Sequence, residues 1–434
     1  MGTVRKAATV ALVAVVTVLF AGCSGGASST SPTDTTATLA PKVKVIDPAV
    51  ADGAEGSLTV CGSKDNSGAW KLLMGSFAAA YPGVTANYQE LGPNTTDTHN
   101  QAVQRVKGGN TDCDVYATDV TWTAEWASQG WVYDQSKLAR KVGDPLLESA
   151  VATTEYAGRN WATPFYTNAG LLYYRDDRVA AAKTLPELYK QAAADKQDAL
   201  LIALSAYEGL TTNFLEVLYS AGGSVLDSSG KVVIDSKETK DALTLLKKAV
   251  SSGAIDPASL TYDDGKAATA YASGAGAYLR NWPSVYNTTA AAPALSGSLK
   301  VQPLPAFDAS HPAVGVLGGW NLMIPLQTKN LPAAVALVEY ASGEDFQKEL
   351  FLDASQAPVY DSVYTDPQVL AKFPFAKQLH TAVTTAKPRP VSPVYPQISQ
   401  AIYDNVYAVI SGQTSVEDGI KKMTQQLEIA QATF

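Results

Sequence analysis

Two tryptophans, Trp282 and Trp320, sit in Arg-Asn-Trp-Pro and Gly-Gly-Trp-Asn, loop-like contexts where a core tryptophan is less expected. Flat rings held in such loops are suited to contact with a ligand, and core packing is the plain alternative. Polar groups that can hydrogen-bond a ligand recur at the ends of predicted elements. Lys64 and Asp65 occupy a loop after the first predicted strand, and Asp119 ends the third. Glu208 follows the strand ending at Leu204, Asn168 precedes the apolar run Gly170–Arg175, and Arg389 stands between two prolines that stiffen its backbone. A solvated loop charge competes for Lys64 and a surface ion pair for Arg389. Trp122 and Trp126 both follow the third strand, and helical spacing turns one of them to the core; Trp122, nearer the strand end, is expected in the site. Asp65, Asp119 and Glu208 are also the residue types of a glycoside hydrolase, whose two carboxylates must stand about 5–5.5 Å or 6.5–9.5 Å apart. His99, His311 and His380 lie far apart without ligand spacing, so no metal site is expected. No GxGxxG, Walker or GxSxG pattern is present, and no cofactor is implied.

The elements that would position these groups alternate between strand and helix. Ser57–Cys61, Val84–Tyr88 and Cys113–Thr118 read as strands, separated by a helix carrying Trp70, Leu73, Phe77 and Tyr81 and by a second over Gln101–Lys107. This βα alternation predicts a parallel sheet covered on both faces, with ligands beyond the carboxyl ends of its strands. A second set begins with strand Gly170–Arg175, helix Leu185–Ala194 and strand Ala199–Leu204, followed by helices over Leu210–Ser220 and Lys237–Ser251. Near the end, Ile398, Ile402, Val406, Val409 and Ile410 line one helix face, and Ser415-Val-Glu-Asp418 opens a last helix in the manner of a capping box. The chain has 434 residues, 46% hydrophobic and 17% charged, enough for two or three folded domains. A net charge of −8 without a Lys/Arg cluster argues against a nucleic-acid partner.

The first residues read as an address. Arg5 and Lys6 precede an apolar run ending in Leu19-Phe-Ala-Gly-Cys23, the pattern of a lipoprotein signal peptide over 1–22 with Cys23 as the lipidated N-terminus. Phe20 departs from the usual aliphatic residue, which leaves a plain signal peptide or an anchor helix as alternatives. Residues 23–56, rich in Ser, Thr, Ala, Pro and Gly, read as a flexible tether reaching on the order of 30 Å. In an exported chain the remaining pair, Cys61 and Cys113, favours a disulfide.

The ordered motifs Asp119-Val-Thr-Trp-Thr-Ala-Glu-Trp126, Pro164–Tyr174, Tyr207-Glu-Gly-Leu210, Ala221-Gly-Gly223, Arg280-Asn-Trp282, Leu317-Gly-Gly-Trp320 and Pro388-Arg-Pro390 resemble family 1 extracellular solute-binding proteins of sugar ABC importers, most of all actinobacterial trehalose and maltose-type binding lipoproteins. The resemblance spans about residues 57 to 430. It implies a two-lobe periplasmic-binding-protein-like α/β fold, each lobe a parallel-rich sheet flanked by helices, with hinge crossings. Lobe one would take 57–168 and 306–343, and lobe two 169–305 and 344–434. It also implies a non-enzymatic, monomeric receptor, lipid-anchored on the extracellular face of the cytoplasmic membrane, that passes an α-linked glucose disaccharide to permease subunits. Its ligand-binding residues would be Lys64, Asp65, Asp119, Trp122, Asn168, Glu208, Asn281, Trp282, Gly319, Trp320 and Arg389, with a role at the hinge crossings as the alternative for Asn168 and Glu208. An exported glycoside hydrolase and a surface adhesin or structural lipoprotein are the rival functions.

Overall fold

The computed structural model describes residues 43–142 and 146–433, so Cys23 and the signal segment lie outside the described residues. Strands β1 (Gly56–Gly62), β2 (Val84–Glu90) and β3 (Val115–Asp119) pair in parallel, with Gly56 opposite Val84 and Val60 opposite Val115. The short hairpin β4 (Glu155–Tyr156) and β5 (Arg159–Asn160) precedes β6 (Thr163–Asn168), which belongs to the same sheet as β1 to β3. A second sheet contains β7 (Leu171–Arg175), β8 (Leu200–Leu201), β9 (Tyr278–Asn281) and β10 (Leu299–Pro303) in the order β10-β7-β9-β8. The chain then returns to the first sheet as β11 (Gly318–Met323), between β3 and β6.

The crossings decide strand direction. β6 leaves the first sheet and continues as β7 in the second, whereas β10 leaves the second and β11 enters the first. Outgoing and returning strands lie side by side, so both pairs are antiparallel, with Gly318 opposite Asn168 and Val301 opposite Tyr173. β7 and β9 also run antiparallel, and only β8 and β9 are parallel in the second sheet. The parallel-rich expectation therefore holds for β2-β1-β3 and not for the second sheet.

Three apolar cores follow from this layering. Leu58, Val60, Phe77, Trp126 and Leu337 pack around the first sheet. In the second sheet, side chains alternate between faces: Leu172 and Tyr278 join Phe214, Ile402 and Met423, while Leu171, Tyr173 and Leu279 join Phe351 and Phe373. Burial on both faces explains why residues 170–174 read as an unbroken apolar run. The last helix, Val416–Ala432, begins as expected, with the Ser415 hydroxyl accepting the Asp418 N–H at 3.0 Å.

Residues assigned to the tether pack instead on the first sheet's core. Ile46 and Ala51 are buried there, Val45 bridges to Asp134, and Pro48–Gly53 form a 3₁₀ turn capped by Asp47. The isolated apolar residues of this stretch lack periodicity, and their burial depends on a surface that the rest of the fold provides. Cys61, near the end of β1, and Cys113, just before β3, are joined, with Cα atoms 5.7 Å apart and both side chains fully buried. Among the described residues no helix is long and apolar enough to cross a membrane.

Candidate functional site

The C-terminal ends of β1 and β3 and the β6–β11 edge of the first sheet face the start of helix Glu208–Ser220 and the end of β9 across a cleft. Every expected ligand-binding residue except Trp122 lines it. Trp122 is the correction. It caps the helix Thr123–Ser128 with its ring turned into the first core, stacked on Trp126 and meeting Trp320 edge-on at 5.6 Å. Its place near the strand end is right; the first helical turn rotates the side chain away, and it supports Trp320 from behind.

The charged groups are largely committed to one another. Asp65 accepts the N–H groups of Gly68 (2.8 Å), Trp70 (3.0 Å) and Lys71 (3.2 Å), so it shapes the loop and anchors the helix Ala69–Ala80. Lys64 is exposed at the rim. Deeper in, the Arg389 guanidinium, buried between the lobes, bridges both sides: Nη2 to Asp119 Oδ1 at 2.9 Å and Nη1 to Glu208 Oε1 at 2.6 Å. Glu208 also accepts the Tyr395 hydroxyl at 2.6 Å and the Ser399 hydroxyl. Its backbone N–H donates across the lobes to Thr96 Oγ1 at 3.1 Å. Burial raises the Glu208 carboxyl above its ordinary value, and Arg389 opposes that shift. The surface ion pair considered for Arg389 is thus a buried interlobe bridge.

The aromatic walls come from both lobes. Trp320 is 9% exposed, and Trp70 and Tyr166 line the same first-lobe wall. Trp282 is half-buried opposite them, with the Arg280 guanidinium 4.3 Å from its ring centroid. Asn281 fixes the backbone there: its Oδ1 accepts the Trp282 N–H at 2.8 Å and its Nδ2 donates to the Asp264 carbonyl at 2.9 Å. Arg280 is held in turn by Glu216, with Nε to Oε2 at 2.8 Å. The motif Gly318-Gly319 is required by space. A Cβ at Gly318 would stand 2.9 Å from Trp282 Cζ3, and Gly319 has φ of +126° with a notional Cβ 2.3 Å from the Tyr166 carbonyl oxygen. Gly319→Ala is expected to destabilise the fold by about 1–3 kcal/mol, read as a lower urea midpoint at unchanged slope.

Sequence reasoning missed Trp70, Tyr166, Tyr207, Asp264 and Gln356 as cleft residues. Trp70 was legible only as part of an apolar helix stripe, and Gln356 carried no signal. Tyr207 stands beside Glu208 in the recognised motif, and its hydroxyl donates to Asp264 Oδ2. Burial by the surrounding protein raises the Asp264 carboxyl above its ordinary 3.8, against the pull of Arg280. The folded state therefore holds more protons than the unfolded state between 3.8 and the raised value, and this group's contribution to stability declines as pH rises through that window. Asp264→Asn should gain stability relative to the parent over the same rise, as urea titrations from pH 4 to 7 would show.

An interlobe cleft with rings on both walls and a buried ionic bridge at its base describes a two-lobe binding protein. The sequence pattern described as bacterial extracellular solute-binding protein matches residues 62–348, and the chain belongs to that family. A probable ABC transporter-binding protein of Deinococcus radiodurans is 31% identical over 358 residues, covering 77% of this chain and 84% of that one. The maltose-bound T. maritima MalE3 structure superposes with a TM-score of 0.81 at 30% identity, over 86% of this chain and 99% of that one. The GacH receptor of Streptomyces glaucescens, solved unliganded and with acarbose, has the same fold, with a TM-score of 0.77 at 24% identity over 87% of this chain and 98% of that one.

Proposed function

We propose that this protein captures a saccharide in the interlobe cleft and delivers it to the permease subunits of an ABC importer. The preferred ligand is an α-linked glucose disaccharide such as trehalose or maltose, bound by a monomer that is lipid-anchored through Cys23 at the extracellular face of the cytoplasmic membrane. Lobe one comprises 57–168 and 306–343, and lobe two 169–305 and 344–434. The observation that carries the reading is the placement of Trp282 across the cleft from Trp320, Tyr166 and Trp70, with amide and carboxylate groups between them. Sugars present apolar C–H faces to rings and hydroxyl rims to such groups. Trp282 and Trp320 stack on the sugar, and Asn168, whose buried Oδ1 has no partner, takes a hydroxyl. Asp119, Glu208 and Arg389 form the base, Gly319 admits the close approach, Asn281 holds Trp282, and Lys64 and Asp65 close the rim.

A hydrolytic function is disfavoured because Asp119 and Glu208 are both occupied by Arg389. The binding test is a thermal-shift panel of trehalose, maltose and longer glucans, in which a ligand at 100 times Kd should stabilise by about 2.7 kcal/mol. No shift with any saccharide would refute the proposal in favour of an adhesin or structural role, and sustained glucose release would refute it in favour of a glycosidase.

A further inference from the structure

Among the described residues the cleft holds five carboxylates, Asp65, Asp119, Glu208, Asp263 and Asp264, against two cations, Lys64 and Arg389. What matters to a ligand is which of them is still free to pair. Arg389 has both terminal nitrogens on Asp119 and Glu208, and keeps only its buried Nε without a partner. Arg280, behind Trp282, is bound by Glu216. Lys64 is exposed at the rim, where solvent screens its charge. Among the described residues, the cleft interior therefore has no cation free to neutralise an incoming anion.

The acceptor side is less committed. Asp264 Oδ1 has Arg280 only at 3.9 Å, and its side chain retains 29% exposure. Asn168 Oδ1 and Gln356 Oε1 are buried without partners in residues 7% and 4% exposed. A ligand entering here meets oxygens that need donors, within a field that is net negative. Removing a phosphate or carboxylate from water into that setting costs solvation with no counter-charge to offset it, whereas hydroxyls and protonated amines meet acceptors.

We infer that the cleft is a charge filter: it accepts uncharged saccharides and saccharides bearing a basic nitrogen, and refuses saccharide phosphates and uronates. The inference rests on the saccharide reading of the cleft and narrows its substrate class. Asp264 is the group that faces the amine, and Arg389 is withheld from anions by its two carboxylates.

The test is calorimetry on the intact protein with trehalose, 6-amino-6-deoxytrehalose and trehalose 6-phosphate, together with maltose, a 6-amino-6-deoxymaltose and maltose 1-phosphate. In at least one series the parent and amine should bind within about 10-fold of each other, the amine gaining as salt is lowered, and the phosphate should bind at least 100-fold more weakly. Asp264→Asn should narrow the gap between amine and phosphate by about 10-fold, a change in charge preference that loss of shape alone would not produce. A phosphate binding within 3-fold of its parent would overturn the filter while leaving the saccharide reading intact. An unchanged gap in Asp264→Asn would overturn the role given to Asp264. Absence of binding throughout both series would overturn the filter and count against this choice of saccharides.

Discussion

Replacing Arg389 with methionine is expected to destabilise the protein by about 3–5 kcal/mol, because it leaves the buried Asp119 and Glu208 carboxylates facing each other without the cation between them. The loss should be read from urea unfolding, and it should shrink as pH is lowered enough to protonate Glu208, whose carboxyl burial already raises. A variant as stable as the parent at neutral pH would show that the bridge contributes nothing net to the fold. Because Asp119 ends β3 and Glu208 begins a helix on the other side of the cleft, the bridge also ties the two lobes together across it. The same variant should therefore scatter X-rays as a more extended particle, a change that loss of local packing alone would not cause.

Trp282→Ala is expected to lower saccharide affinity by about 3 kcal/mol, roughly 100-fold, with most of the fold's stability retained. Its ring is half-buried and rests on Gly318 and Arg280, so truncation mainly opens the cleft wall. Trp320→Ala should lose similar affinity, but it also removes a 9% exposed ring packed on Trp122 and so costs stability as well. Trp320→Phe keeps an apolar ring against Trp122 and is the cleaner partner for titration calorimetry. Unchanged affinity in Trp282→Ala with an intact melt would remove the stacking role assigned to it. The aromatic contacts need to come from both lobes for binding to favour the closed arrangement, since a ligand shifts an equilibrium only through differential affinity for its states.

Much of the fold was legible in order along the chain. Periodicity in residues 57–118 marked β1, β2, β3 and the helices between them, because each must bury an apolar face whatever its partner. The capping residues around Ser415 marked the last helix for the same local reason. The chemistry of the cleft was legible at the level of residue type: tryptophan beside glycine and proline, and carboxylates at strand ends, singled out the candidates that the cleft gathers.

What the sequence by itself determined is this set of local elements, the residues able to stack or hydrogen-bond, and, through the ordered motifs, the family. The tertiary structure alone decided which groups remain free for a ligand. Arg389 is far along the chain from both Asp119 and Glu208, and the pairing of Lys387 with Val316, just before β11, brings it between them, turning an expected ligand contact into an interlobe bridge. Trp122 was misplaced because one helical turn rotates a side chain by about 100° per residue, and whether that turn faces core or cleft depends on the neighbouring strand. The antiparallel half of the second sheet had no local signature either: strand direction there follows from where the chain leaves one lobe and returns to it, a property of the path and not of any segment within it.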